Sequence, residues 1–427
     1  MNPNTLVNSP SDLNQTAPPP VAWIGLDWGH RTHAFALHQR GGQPEEGTLE
    51  HSAESLHAWL RTLEKRWGGR PVALGIETSR GAIIHALLQY PWVQIYPINP
   101  VTSARYRQAF TPSGASDDVP DARLLLELVR DHAAKLRPLE PQDAQTLKLA
   151  GLVEARRDLV DRRTQGLNQI TSLLRTYYPQ ALELVGDLNT QLALDFLDRW
   201  PDLLHLKAAK PGVIKRCYCE HNLRRPELLE TRLQFIRDAV ALTTEEARVS
   251  VAVLQLRCLL DQLRAWRKHL AILDAEIQTV FAAHPEAALF RDLPGAGPAL
   301  APRLCVAFGT IRSLYPQPAS LQKQAGVAPV REKSGQSLWT HWRWRAPAFL
   351  RQTFVEWAGL TVVYSAWART YYQHMQAKGK AHHVILRALA FKWIRVLWKC
   401  WQTRTAYHEA AYLQQLIRRK SPHAVAA

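Results

Sequence analysis

The stretch VAWIGLDWGHRTHAFALHQ, residues 21–39, decides the fold class of the first part of this chain. VAWIGLD is a short apolar run rich in strand-forming residues, and HAFALHQ is a second such run after the turn-like WGHRT. Gly41 and Gly42 then break the chain before a third run, EEGTLEH. Three short strands in succession, separated by turn residues, predict an antiparallel meander.

Beyond the meander, strands alternate with helices. SAESLHAWLRTLEKRW has the spacing of an amphipathic helix, with Ser52 placed to cap its N-terminus. VALGIE, residues 72–77, and VQIYPIN, residues 93–99, are two further buried strands. One helix is expected between them at about residues 80–89, and another is expected to begin near Ala122. This order predicts an α/β domain in which helices cover a mixed sheet.

The rest of the chain is typical of helices. Apolar residues recur every three or four positions between about 142 and 178, and a similar segment spans about 244–284. Each segment exceeds an ordinary globular helix, so we expect a helical hairpin or coiled-coil arm that serves dimerisation or spacing.

An all-α C-terminal domain is expected to open with LPGAGPALAPRLCVAFG, residues 293–309. Gly295 and Gly297 flank a turn, and Pro298 suits the first turn of the following helix. This turn is typical of a helix-hairpin-helix unit, whose backbone N–H groups and helix N-terminus can hold a phosphate. An ordinary tight connection between helices is the alternative.

These patterns predict the following segments: a disordered tail (1–20), the α/β domain (21–140), a helical arm (141–285) with an irregular insertion at about 182–242, a C-terminal domain (286–410) and a basic tail (411–427). The first twenty residues lack the basic start and the apolar core of a signal peptide. No uninterrupted apolar run approaches the ~20 residues that span a bilayer. We therefore expect a cytoplasmic protein without a membrane partner.

Positive charge and tryptophan are concentrated near the C-terminus. The formal net charge is +16, and residues 331–427 hold 16 Lys/Arg against 3 Asp/Glu, together with 8 of the 15 tryptophans. Basic side chains release counterions from phosphates and aromatic rings stack on bases. This composition favours a nucleic-acid partner over the alternative, a basic surface above a Trp-rich core.

The five cysteines are too few for a disulfide framework in a chain of 427 residues, which indicates a reducing cytoplasm. The cluster CYCEH, residues 217–221, resembles a metal site only in its residue types. Its spacing is expected for a strand edge or loop rather than for zinc, and no second cysteine pair accompanies it.

Four carboxylates of the α/β domain lie where a metal site would need them. Asp27 ends the first strand and Glu77 ends the VALGIE strand. Asp118 and Asp121, three residues apart, share a face at the start of a helix. Converging carboxylates repel one another unless a cation neutralises them, and hard oxygen ligands select Mg²⁺ or Mn²⁺. Local roles are the alternative: a turn residue, a helix-start acid and, for Asp117 and Asp118, N-caps.

These motifs resemble those of the transposases of insertion-sequence family 110. WIGLDWGHRTH, LGIETS and SDDVPDARLL are similar to the Asp–Glu–Asp–Asp (DEDD) motifs of that family's RuvC-like domain, and LPGAGPALAPRL, AGVAPVREKSGQS and AKGKAHHVILRALAFKWIRVLW are similar to its C-terminal stretches. The resemblance covers about residues 21–410. It implies a RuvC-like (RNase H-like) domain with the metal ligands Asp27, Glu77, Asp118 and Asp121. Asp117 in place of threonine, Pro120 between the paired aspartates and the absent second glycine of SGQS depart from the family pattern.

The resemblance also implies covalent chemistry. Ser334, in REKSGQSLW, would attack the scissile phosphate and form a phosphoserine link in a composite site assisted by Mg²⁺ from the acidic domain. Arg331 and Lys333 would favour its alkoxide, and Gly335 would allow close backbone approach. Ser337 is the second candidate. Without the resemblance, a serine beside glycine between basic residues is an ordinary surface loop.

The family further implies a noncoding guide (bridge) RNA that pairs with donor and target double-stranded DNA, and a homo-oligomer, dimer or tetramer, because synapsis joins two DNAs. The nucleic-acid-binding candidates are Gly295, Gly297, Arg331, Lys333, Arg343, Arg345, Lys378 and Lys380. The function that the resemblance implies is site-specific, RNA-guided DNA recombination by a protein associated with the bacterial nucleoid. The alternatives are a RuvC-like metal-dependent endonuclease, such as a junction resolvase without a covalent step, and a non-catalytic nucleic-acid-binding derivative.

Overall fold

The computed structural model describes residues 18–110 and 118–421, and the chain divides into two compact units, 1–141 and 142–427. The tail predicted at 1–20 lies outside the described residues except for 18–20, and Asp117 lies outside them as well. In the described ranges, no helix combines the length and the apolar character that a membrane crossing requires.

The first unit is a mixed α/β sheet covered by helices. Its strands are β1 (Ala22–Trp28), β2 (Thr32–Gln39), β3 (Pro44–Glu50), β4 (Val72–Ile76) and β5 (Val93–Pro97), and its helices are α1 (Ala53–Trp67), α2 (Ala82–Leu87), α3 (Pro100–Phe110) and α4 (Asp118–His132), followed by a short 3₁₀ turn at Ala133–Lys135. The sheet order is β3-β2-β1-β4-β5. β1, β2 and β3 pair antiparallel, whereas β4 runs parallel to β1 and to β5. The predicted meander and mixed sheet are confirmed.

Helices cover both faces of this sheet because successive strand residues point to opposite sides. Ile24 and Leu26 of β1 belong to the core that includes the buried residues of α1 and α2. On the other face, α4 packs through Leu125 and Val129. Ser52 caps α1 as predicted, since its hydroxyl accepts a hydrogen bond from the Ser55 N–H at 3.1 Å.

Two details of this unit differ from the sequence prediction. Helix α4 begins at Asp118, four residues before Ala122. Helix α3 was missed, because Ser103 is its only buried residue and no apolar stripe marks it as a helix.

Over its described residues, 142–421, the second unit is helical, as predicted, apart from one hairpin of two strands, β6 (Val330–Ser334) and β7 (Ser337–His341), which corrects the expectation of an all-α domain. The hairpin was missed because most of its residues are exposed, so apolar alternation is absent. The helices are α5 (Ala144–Tyr177), α6 (Gln180–Val185), α7 (Gln191–Arg199), α8 (Leu203–Ala208), α9 (Pro211–Glu220), α10 (Pro226–Asp238), α11 (Glu246–Ala282), α12 (Ala287–Phe290), α13 (Gly297–Phe308), α14 (Pro318–Gln324), α15 (Ala348–Tyr364), α16 (Ala366–Ala377), α17 (His382–Thr403) and α18 (Glu409–Arg418), with a 3₁₀ turn at Arg312–Leu314.

The long helices α5 and α11 run antiparallel along each other. Lys148 pairs with Glu276 near one end at 2.6 Å, and the absent side chain of Gly166 makes room for the Trp266 ring further along. Helices α6 to α10 lie between them in sequence and share a separate core with their far ends. The two long helices α5 and α11 therefore form an antiparallel pair in the segment predicted to be a helical arm. Their coiled-coil character stays a prediction.

The cysteine pair belongs to this smaller core. Cys217 and Cys219 lie on α9, so the expectation of a strand edge or loop for CYCEH is wrong. Cys217 is buried, and burial raises the pKa of its thiol above the ordinary range. A buried, protonated thiol on a helix is a packing residue.

Among the eight tryptophans of residues 331–427, four are fully buried and two are exposed. Trp357, Trp367, Trp393 and Trp401 are fully buried, and the ring of Trp393 lies 4.7 Å from that of Trp357 and 4.6 Å from that of Trp367. These rings form the Trp-rich core that was the alternative to base stacking. The exposed fraction is 46% for Trp339 and 78% for Trp344, so these two rings remain accessible to a partner.

Candidate active site

Parallel pairing of β1 and β4 places Asp27 beside Glu77. Gly25 lies opposite Gly75 and Leu26 opposite Ile76, so each acid follows the last matched pair at the carboxyl end of its strand. Because side chains alternate along a strand, both acids face the side that the two glycines face. Helix α4 covers that side.

The two glycines determine how closely α4 approaches the sheet. A Cβ atom on Gly25 would lie 1.9 Å from the carbonyl oxygen of Ala122, and one on Gly75 would lie 2.6 Å from Cγ2 of Val129. The helix therefore rests on bare strand backbone, and its first turn carries Asp118 and Asp121 to the strand ends. The sequence contained this signal, since IGLD and LGIE each place glycine two residues before the acid.

The other three predicted acids, Asp118, Asp121 and Glu77, act electrostatically on Asp27, and we call the four residues the acidic cluster. The pKa of Asp27 is raised to about 6, chiefly by burial and then by the negative charges of Asp121, Asp118 and Glu77. Arg107 opposes this shift. All three other acids therefore act on Asp27, as a like-charge cluster should.

Two residues of α3 engage this acidic cluster. The guanidinium of Arg107 pairs with Asp121, and the hydroxyl of Ser103 donates a hydrogen bond to Glu77. They lie four residues apart and so share a face of α3. Sequence reasoning missed both, because it did not identify the helix that presents them.

The donor set of the acidic cluster suits a hard divalent cation, because it consists of carboxylate oxygens alone. In the described part of the chain, however, no three His, Cys, Asp or Glu side chains form a group that could hold a metal ion. A cation would compete with Arg107 for Asp121. Pro120 is accommodated in the first turn of α4, where its missing N–H costs little.

Ser334 lies at the tip of the β6–β7 hairpin, and it is exposed. It pairs with Ser337 across a connection of two residues, so the two candidate serines lie side by side on one face. Gly335 has φ 58° and occupies the first position of the connection, where two-residue hairpin turns favour glycine.

The charges around Ser334 differ from those expected. Successive side chains along β6 point to opposite faces of the strand. Lys333, one residue before Ser334, and Arg331, three residues before it, therefore both lie on the face opposite the serine. The face of Ser334 carries Glu332 instead, whose Oε1 lies 2.8 Å from Nε2 of His341. That hydrogen bond raises the pKa of His341. The expectation that the two cations flank the hydroxyl is corrected.

The predicted phosphate turn has a packing role at one glycine. Gly295 has φ 70°, and a Cβ there would lie 2.9 Å from the Tyr364 ring and 3.0 Å from Leu360 of α15. Gly297 begins α13, and no atom of the described residues lies within 4 Å of a Cβ built on it. The helix before the turn, α12, has only four residues. The helix-hairpin-helix role stays a prediction.

The other nucleic-acid candidates lie on or near exposed turns. Arg345, Lys378 and Lys380 are exposed, and Arg343, two residues after the end of β7, is half-buried. Gly379, with φ 70°, separates the two lysines in the turn between α16 and α17.

Two transposase family models match the chain. The DEDD transposase model of the IS110 type matches residues 24–179, and the model of the IS116/IS110/IS902 transposase family matches residues 287–373.

Proteins of several insertion elements are similar over nearly the whole length. The chain is 27% identical over 410 residues to a protein of the IS117 mini-circle from Streptomyces coelicolor, with 93% of this chain and 98% of that one covered. Identity is 26% over 389 residues to the 43.6 kDa protein of insertion element IS110 from the same organism, covering 90% and 95%. It is 25% over 402 residues to the 42 kDa protein of insertion element IS900 from Mycobacterium paratuberculosis, covering 91% and 97%.

Proposed function

This chain belongs to the IS110 family of transposases, and we propose that it cuts and rejoins DNA at specific sites under the guidance of an RNA. One observation carries the catalytic part of the proposal. Burial and then the negative charges of Asp121, Asp118 and Glu77 raise the pKa of Asp27, and all four acids lie inside the segment that matches the DEDD transposase model.

The proposed cofactor of the acidic cluster is Mg²⁺ or Mn²⁺. Such a cation would activate an attacking oxygen and stabilise a departing oxygen at phosphorus. The oxygen-only donor set and the raised pKa of Asp27 support this assignment, because a bound cation would neutralise the repulsion between these carboxylates. In this structure the guanidinium of Arg107 supplies positive charge to the acidic cluster, and it would have to leave Asp121 when a cation binds.

Ser334 is the proposed nucleophile. Its Oγ would bond to the scissile phosphorus as the bond from phosphorus to the departing strand breaks, with the serine proton lost and the departing oxygen gaining one. Exposure at a hairpin tip supports this role, because a DNA backbone can reach the hydroxyl without unfolding the domain. Ser337, its cross-strand neighbour, remains the second candidate.

The partners follow from the family and from the charge. A net charge of +16, with 16 Lys/Arg against 3 Asp/Glu in residues 331–427, suits a guide RNA together with donor and target DNA. Synapsis of two DNAs requires at least two copies of the chain. RNA sequencing of material that copurifies with the protein tests the guide directly, and the absence of any discrete RNA would reject it.

Replacing the serine separates recombinase from nuclease. Ser334→Ala should abolish both the covalent DNA adduct and strand exchange, because the attacking oxygen is removed. Ser337→Ala distinguishes the two candidate serines: it should retain both if Ser334 is the nucleophile, and loss of both in Ser337→Ala alone would assign the attack to Ser337. Trapped adducts on denaturing gels and product sequencing measure the outcome. Continued cutting by Ser334→Ala without an adduct would establish the metal-dependent endonuclease instead, and full activity of Glu77→Gln would favour the non-catalytic derivative.

A further inference from the structure

Two arginines share one aromatic ring at the base of the serine hairpin. Trp342 follows β7 directly, and the guanidinium carbon of Arg387 on α17 lies 3.9 Å from its ring centroid. The guanidinium carbon of Arg351 on α15 lies 5.4 Å from the same ring. The ring therefore holds two cations near each other, and we call Trp342, Arg351 and Arg387 the arginine clamp.

No carboxylate in the described residues neutralises the arginine clamp. Residues 331–427 contain three acids, and each is engaged elsewhere. Glu332 bonds to His341, Glu356 pairs with Arg157 and Arg303, and Glu409 accepts hydrogen bonds from Ser365 and Tyr407. Neither Arg351 nor Arg387 forms an ion pair with any described residue.

The two clamp arginines are held differently. Arg351 donates through Nη2 to the carbonyl oxygens of Arg343 at 3.2 Å and Trp344 at 2.9 Å, so it also fixes the chain that leaves the hairpin. Its Nε and the Nε of Arg343 are buried without a partner in the described structure. Burial and the charge of Arg351 lower the pKa of Arg387. Half-buried cations with unpaired donors need an anion.

We propose that the arginine clamp is a binding site for one backbone phosphate of a nucleic acid, which docks beside the hairpin that carries Ser334. Guanidinium forks fit phosphate oxygens in pairs, and Trp342 orients them by stacking. A phosphate bound there would replace the missing counter-charge and hold the hairpin base to the nucleic acid. This role rests on the proposed function for its ligand, a nucleic acid, and does not depend on the proposed attack of Ser334 on DNA.

Arg387→Gln tests the arginine clamp with little risk to the fold, because the Arg387 side chain donates no hydrogen bond to another described residue and sits beside a like charge. Binding of the full chain to a DNA duplex and to an RNA duplex of the same sequence is measured without Mg²⁺, so that cleavage plays no part. Loss of one phosphate contact should weaken DNA binding about eightfold near 0.1 M salt and reduce the slope of log K against log salt by about 0.9. Arg395→Gln removes the same charge from an exposed site on α17 and is the matched control.

The duplex arms identify which nucleic acid supplies the phosphate. A weakened affinity and a reduced slope with one duplex alone assign the clamp to that nucleic acid, and the same changes with both assign it to any duplex backbone. Arg387→Lys should keep the salt slope, since the charge remains, while losing part of the affinity. Unchanged affinity and slope for Arg387→Gln in both arms, or equal changes in Arg395→Gln, overturn the proposal. Because this experiment measures binding and not cleavage, its result remains valid even if the Ser334→Ala experiment shows that no covalent step occurs.

Discussion

The acidic cluster and the serine hairpin are positioned by different forces. Asp27 and Glu77 extend from two buried strands, and α4 reaches them because glycines leave the strand backbone bare. Ser334 stands on an exposed hairpin that is held by its own ladder and a two-residue turn. The acids therefore depend on the packing of a whole unit, whereas the serine depends on local structure. Substitutions at the acids should therefore change the stability of the whole first unit, whereas substitutions at the hairpin should have smaller effects confined to β6 and β7.

The largest effect is expected where helix and sheet touch. Gly25→Ala places a methyl group 1.9 Å from the Ala122 carbonyl oxygen, so α4 must move away from β1. We expect the free energy of unfolding of the first unit to fall by about 3 kcal/mol, the upper range for overpacking a core. Urea denaturation followed by circular dichroism measures it. Gly42→Ala is the control, because its Cβ would make ordinary contacts at 3.5 Å. Equal stability of the two variants would show that α4 does not rest on the strand.

Asp27→Asn should raise stability while removing a proposed ligand. The pKa of Asp27 is about 6 in the folded chain against 3.8 ordinarily, so the folded state binds the proton more tightly. Wild-type stability should therefore fall as pH rises from about 4 to about 6, and the asparagine variant should lack this fall. At pH 7 the gain should be about 1–2 kcal/mol after solvent screening is allowed for.

Thermal unfolding across this pH range, with and without Mg²⁺, tests Asp27→Asn. In wild type, Mg²⁺ should raise the melting temperature at pH 7, and in the variant the rise should shrink, because one of four acids is neutral. Asp131→Asn, on the same unit but paired with Arg130, is the control and should reproduce neither effect. A variant less stable than wild type at pH 7 would contradict the like-charge cluster.

The sequence allowed the acids to be placed more completely than their surroundings. Strand ends and helix starts are local signals, so Asp27 and Glu77 could be placed at strand ends from the sequence, whereas the pairing of their two strands is known from the structure. Arg107 could not, because it lies on a helix without an apolar stripe. The polar β6–β7 hairpin was not predicted for the same reason, and the orientation of Lys333 could therefore not be predicted either. Tertiary contacts between polar residues leave no periodic trace in a sequence.

Arg107→Gln tests the internal counter-charge of the acidic cluster. Without the guanidinium, the cluster is more negative and Asp121 is released, so Mg²⁺ should bind several-fold more tightly, equivalent to about 1 kcal/mol. A titration of the melting temperature against Mg²⁺ concentration measures the affinity. Arg123→Gln removes an exposed guanidinium of α4 that pairs with Glu46 and should leave the affinity unchanged. Weaker Mg²⁺ binding in Arg107→Gln would mean that the arginine supports the site rather than competing for it.

The smallest effect on the whole chain is expected at the hairpin turn. Gly335 has φ 58°, and a Cβ atom added there would meet no described atom within 4 Å, so Gly335→Ala costs only backbone strain, about 1 kcal/mol. Because the hairpin is exposed, that cost should appear as about fivefold faster hydrogen exchange in β6 and β7, with the melting temperature of the second unit unchanged. Gly335→Asn is the control, since asparagine tolerates this conformation better. A global loss of stability would show that the hairpin is coupled to the helical core, and Ser334 would then be positioned by packing in the way that the acids are.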